Sequence, residues 1–271
     1  MSSTPTSATA GGPVAVGRLA LAAACAALAC LALGARAYAS THAAIGASLT
    51  PDRLRAHATL GFDVELSGGE AGVPSPVREA VIRLPAGFGL DVPALSSCPA
   101  NRLRARGIGA CPARSAIGAG HAIVEALTGS LRTTEDVALT IFVGEPHNLE
   151  PTFEIYGRGY TPLDERLIFP GRVTPGTAPF GEQLVLSLPP ISTLALEPDA
   201  SVVSLALRIG QAPRGPGHPV TSVLTPSRCP PGGFAFAAEL TYAEGPSSTA
   251  RYALPCPAGG PPASPQRGSH A

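Results

Sequence analysis

The 271-residue chain has no lysine and no tryptophan. Without lysine there is no Schiff base and no amine nucleophile, so lysine-dependent chemistry is excluded outright. The missing tryptophan removes a favoured stacking platform for sugars, although tyrosine can also stack. Charge is scarce: 14% of residues are charged and the formal net charge is zero. Taking Arg18 and Arg36 from the 19 basic residues leaves 17 arginines against 19 acids, so nothing in the balance attracts nucleic acid. The Gly-x-Ser-x-Gly pentapeptide, which sets a serine on a tight strand-to-helix turn, does not occur. A serine–histidine–acid set assembled only by folding leaves no such trace, and the pool for it is six histidines.

Long apolar runs are missing too. The longest, residues 19–33, falls short of the roughly 20 residues a membrane-crossing helix needs. It lies between a polar stretch ending in Arg18 and a small-residue site at Ala37-Tyr38-Ala39, which are the three parts of a secretory leader. Residues 1–39 therefore read as a signal peptide cut after Ala39, with a retained anchor as the alternative. Cys25 and Cys30 lie inside the apolar run with alanine three residues before each, so a lipoprotein signal is the weaker reading. The expected product is secreted or extracytoplasmic, and it meets a membrane only through an uncleaved leader.

What is abundant is glycine, 31 residues, and proline, 30 residues, which favour turns and extended segments over long helices. Four of the six cysteines lie beyond the leader: Cys98, Cys111, Cys229 and Cys256. An even number in an oxidising compartment predicts two disulfides. The preferred pairing joins Cys98 to Cys111 and Cys229 to Cys256, because each pair brackets a self-contained unit. Zinc knuckles use spacings of two to four residues, whereas these two pairs have 12 and 26 residues between their cysteines, so no metal is expected. Each of the four cysteines precedes a proline, which places it where a strand ends or a turn begins.

The clearest strand signal is residues 56–66, where Ala56, Ala58, Leu60, Phe62, Val64 and Leu66 alternate with His57, Thr59, Gly61, Asp63 and Glu65. Further strands are predicted at 77–84, 117–127, 137–143, 153–156, 165–169, 182–188, 202–209, 234–242 and 250–254. Residues 119–127 also admit a helix. Residues 99–106 are expected to form a short helical turn carrying Arg102, Arg104 and Arg106 inside the first disulfide loop. The last two strands form a hairpin stapled by the second disulfide. About ten short strands predict an all-β fold, an antiparallel two-sheet sandwich of Ig-like type, with a β-barrel as the alternative. Residues 40–256 read as one domain and 257–271 as a disordered tail.

The Leu84-Pro85-Ala86-Gly87 stretch, Ala94-Leu95-x-x-Cys98, Cys111-Pro112-x-x-Ser115-x-x-Gly118 and Thr225-Pro226-x-x-Cys229-Pro230 resemble segments of a group of uncharacterised secreted proteins from high-GC Gram-positive bacteria. The resemblance implies a β-sandwich at the cell exterior. It brings no activity and no functional residue.

Two polar sets invite chemistry. In a strand, His121 and Glu125 share a side; His147 stands near Glu150 and Glu154 in sequence. Either set could share a proton or bind a metal, as in an extracellular hydrolase or metal-dependent enzyme with a dispersed site around His121 and His147. The plainer reading is a solvated strand face and a solvated loop. Acid pairs at Glu135-Asp136 and Asp164-Glu165 lack the ligand-rich loop calcium needs. One segment is dense in aromatics and arginine: Phe153, Tyr156, Tyr160, Phe169 and Phe180 with Arg158, Arg166 and Arg172. Such side chains are enriched at recognition surfaces, so Tyr156, Arg158 and Tyr160 are the candidate binding residues. The plainer reading makes the phenylalanines core and the tyrosines ordinary strand residues. No catalytic residue and no cofactor is implied. The leading expectation is an exported, non-enzymatic module that binds a cell-envelope component or an extracellular protein, or supports the envelope.

Overall fold

The computed structural model describes residues 40–69, 71–91, 96–148, 150–160, 166–210 and 222–258. The expected leader and nearly all of the expected tail lie outside these residues, as do Ala94, Leu95 and the Asp164-Glu165 pair. The strands are β1 (Thr41–Thr50), β2 (His57–Gly68), β3 (Val77–Pro85), β4 (Gly89–Asp91), β5 (Ala116–Thr128), β6 (Leu131–Val143) and β7 (Thr152–Arg158). They continue with β8 (Arg166–Pro175), β9 (Phe180–Ser187), β10 (Ser201–Ile209), β11 (Ser222–Leu224), β12 (Phe234–Tyr242) and β13 (Ser248–Leu254). One helix, α1 (Ala100–Arg106), lies between β4 and β5.

The 13 described strands belong to one hydrogen-bonded sheet: twelve follow the order β13-β12-β3-β9-β8-β7-β6-β5-β10-β2-β11-β4, and β1 pairs with β2 off this path. Every pairing is antiparallel. The path curls until β1 lies alongside β13, so the sheet is nearly closed and barrel-like. The described residues form one compact unit.

The alternation along β2 works as the sequence predicts. Ala58, Leu60, Phe62, Val64 and Leu66 are buried, while His57, Asp63 and Glu65 face water. The same period places Val137, Leu139 and Ile141 of β6, Ile155 of β7, Leu184 and Leu186 of β9 and Leu207 of β10 in a single core. Burying each large aliphatic or aromatic side chain of this kind stabilises the fold by about 1.5–3 kcal/mol. Phe88 closes one end of the core, edge-on to Phe234 at 5.1 Å and to Phe236 at 5.7 Å between ring centres.

Both expected disulfides are present, Cys98–Cys111 and Cys229–Cys256, and none of the four cysteines lies within a strand. Residues 119–127, which also admitted a helix, are strand, and the β12–β13 hairpin forms as expected. Three strands exceed the expected ten. β1, in the segment Ala43-Ala44-Ile45-Gly46-Ala47-Ser48, pairs with β2 along its whole length, so tertiary pairing overrides weak local strand preference. β4 and β11 have only three residues each and carry no periodic signal.

Ser115, Gly118 and Thr225 have structural roles. Ser115 is fully buried and its hydroxyl donates to the Pro112 carbonyl at 2.6 Å. Gly118 lets β10 approach: an added Cβ would lie 2.5 Å from the Arg208 carbonyl oxygen. Thr225 accepts a hydrogen bond from the Ala56 N–H at 2.9 Å and donates to the Arg53 carbonyl at 2.8 Å, clipping the entry of β2 to the exit of β11.

Candidate functional site

The first disulfide loop folds onto the outer face of β6, β7 and β8. Helix α1 begins after Pro99, contains helix-favouring Ala100, Leu103 and Ala105, and ends where the Gly107 N–H returns to the Leu103 carbonyl at 2.8 Å. Gly107 has φ 69°, a conformation in which glycine has no Cβ penalty. Arg104 and Arg106 in the last turn favour the negative end of the helix dipole. Leu103 is completely buried against Cys98, Phe142, Tyr156 and Ile168, forming a second small core outside the sheet. The Cys98 N–H, donating to the Val143 carbonyl at 2.8 Å, ties the start of the loop to the end of β6.

Beside this anchor the ladder sets side chains in rows. Thr140, Tyr156 and Ile168 are cross-strand partners, and the next row is Ala138, Arg158 and Arg166. Arg106, Gly107, Ile108 and Gly109 of the stapled loop border these rows, enclosing a groove of about 270 Å³ with Tyr160 at its edge. Tyr156 forms a buried wall, whereas Tyr160 and Ile108 are exposed. The Arg158 guanidinium lies 4.6 Å from the centre of the Tyr160 ring, within cation–π range. Three arginines line the groove, and among the described residues no acid does. Arg158 and Arg166 stand directly opposite each other in the ladder.

Glu154 occupies the next row, opposite Phe142 and Pro170. One of its carboxylate oxygens is buried without a hydrogen-bond partner. Burial raises its pKa above the ordinary carboxylate value, and the nearby Arg104 charge offsets part of the rise.

The three expected binding residues, Tyr156, Arg158 and Tyr160, therefore share one groove. Arg106 and Arg166 belong to it as well, and the chain gave a signal for both: Arg106 ends an arginine-bearing helix, and Arg166 opens the strand after Tyr160. Their meeting depends on the β7–β8 register and on docking of the loop, neither of which is local. The histidine sets do not assemble. His121 projects outward from β5, as the plainer reading has it, and Glu125 pairs with Arg132 at 3.5 Å. His147 is exposed in the β6–β7 connection, where its backbone exchanges hydrogen bonds with that of Glu150. Among the described residues no group of three His, Cys, Asp or Glu side chains is placed to hold a metal ion, and no helix is long and apolar enough to cross a membrane. Comparison of the chain with protein-family models, with curated proteins and with solved structures finds no match.

Proposed function

We propose that the mature chain is an exported, non-enzymatic binding module of the cell exterior, and that the groove between the stapled loop and β6–β8 takes an anionic ligand. One observation carries this reading: Arg106, Arg158 and Arg166 line one groove, in which no acid is found among the described residues. Guanidinium groups offer planar paired donors that match carboxylate and phosphate oxygens, and the Tyr156 and Tyr160 rings add rigid contact area. Two disulfides fit an oxidising compartment, which supports export. Of the two architectures expected, the continuous strand path and the neighbouring β1 and β13 favour the barrel over the Ig-like sandwich.

The test is titration calorimetry on the oxidised chain from residue 40 with hexagalacturonate and with tripolyphosphate, which distinguish carboxylate from phosphate recognition. The reading expects saturable, salt-sensitive binding of one or both, weakened about tenfold or more in the Arg106→Ala/Arg166→Ala variant. Absence of binding, or binding that this variant leaves unchanged, contradicts it.

A further inference from the structure

The interior of the sheet contains space as well as core. At the end closed by Phe88, a cavity of about 70 Å³ lies among Leu60, Phe62, Phe153, Glu182 and Ile209. A second, of about 80 Å³, lies among Val64, Ala80, Ala122, Phe169, Ala238 and Leu240. Ile82, Ile155 and Leu207 line both, so the two lobes abut at a waist. Val124, Val137, Leu167 and Ile191 are shared between the second lobe and a third space of about 240 Å³ at the opposite end. There the lining turns polar, with Thr128, Thr133, Glu135, Ser192 and Thr193.

The geometry explains why room remains. About eight strands enclose an interior that side chains just fill, and the path from β13 round to β1 uses more. Alanines at 80, 122 and 238 leave the second lobe open where larger side chains would close it. Close-packed interiors carry few voids larger than a water molecule, yet here two apolar voids adjoin each other and lead to a polar mouth.

The shape and chemistry narrow the occupant. Neither lobe alone reaches the roughly 150 Å³ that accommodates a benzene ring, and the two together only match it, so a long tail must also occupy the third space. From Ile117, beside the inner lobe, to Val124, at the mouth, the chain runs about 23 Å along β5, the reach of an extended acyl chain. Among the described residues no arginine lines any of the three spaces, so nothing there offers an anionic ligand a counter-charge. Hydroxyls at the mouth suit a hydroxyl-bearing head. We propose that the sheet interior binds a single-chain amphiphile, its unbranched hydrocarbon tail reaching from the third space into the two lobes and an uncharged, hydroxyl-bearing head among Thr128, Thr133 and Ser192.

This site is separate from the arginine groove, and the two stand or fall independently. The experiment is titration calorimetry of the oxidised chain with 1-monolauroylglycerol below its aggregation threshold. Wild-type protein is expected to bind one molecule, with laurate at least about tenfold weaker at neutral pH. Ala122→Phe and Ala238→Phe, each filling the second lobe, are expected to weaken binding by about tenfold or more, while Arg106→Ala/Arg166→Ala leaves it unchanged. Should the filling variants not fold, intermolecular NOEs from the lauroyl chain to the Ile155 and Leu207 methyls of wild-type protein decide the question. No saturable binding, binding untouched by folded filling variants, or NOEs confined to the outer surface overturns the proposal.

Discussion

At the scale of single residues, two groups show what buried polarity costs with a partner and without one. Thr225 is buried and satisfies the Ala56 N–H and the Arg53 carbonyl together. Thr225→Val keeps the shape and deletes the hydroxyl, so it is expected to cost about 1–3 kcal/mol in urea unfolding. Glu182 is the opposite case: burial raises its carboxyl above the ordinary range. Above the folded-state pKa the group is ionised in both folded and unfolded chains, and the full penalty of burying the charge is present. As the pH falls through that value the native state takes up a proton before the unfolded state does, and the penalty shrinks. Below the unfolded pKa both states are protonated and nothing remains. Glu182→Gln should therefore raise the unfolding midpoint at pH 7, with the gain gone by about pH 4. A variant equally stabilised at both pH values would show that burial of charge is not the cause.

At the scale of elements, the first disulfide loop is the part most tied to the site. Its helix, glycine cap and single anchor Leu103 hold Arg106 over the β7–β8 rows. The Cys98→Ser/Cys111→Ser variant is expected to lose about 3 kcal/mol in chemical unfolding and to lose anion binding more completely than it loses sheet structure by circular dichroism. Retained binding in the reduced loop would separate the staple from the site. This element was largely legible: Pro99, the helix-favouring residues behind it and the cysteine spacing announced a short stapled helix. β1 was not legible, because alanine, glycine and serine carry little strand preference and its strand character comes from β2. The groove was half legible. Tyr156, Arg158 and Tyr160 cluster locally, while Arg106 lies some fifty residues before them and enters only through packing.

At the scale of the whole molecule, one antiparallel path curls almost onto itself, and its two faces have different chemistry. The inside is aliphatic with residual space, and the outside carries the stapled loop and its arginines. Strand periodicity foretold which side chains turn inward, because alternation is a local property. It did not foretell whether the sheet splits in two or rolls up, since that depends on the order of strands far apart in sequence. The most direct test of the central claim is a ¹⁵N-resolved NMR titration of the oxidised chain from residue 40 with whichever of hexagalacturonate and tripolyphosphate binds. The account predicts shifts concentrated at residues 106–109, 138–140 and 156–160 and at Arg166; shifts elsewhere with these positions silent, or no shifts with either anion, would contradict it.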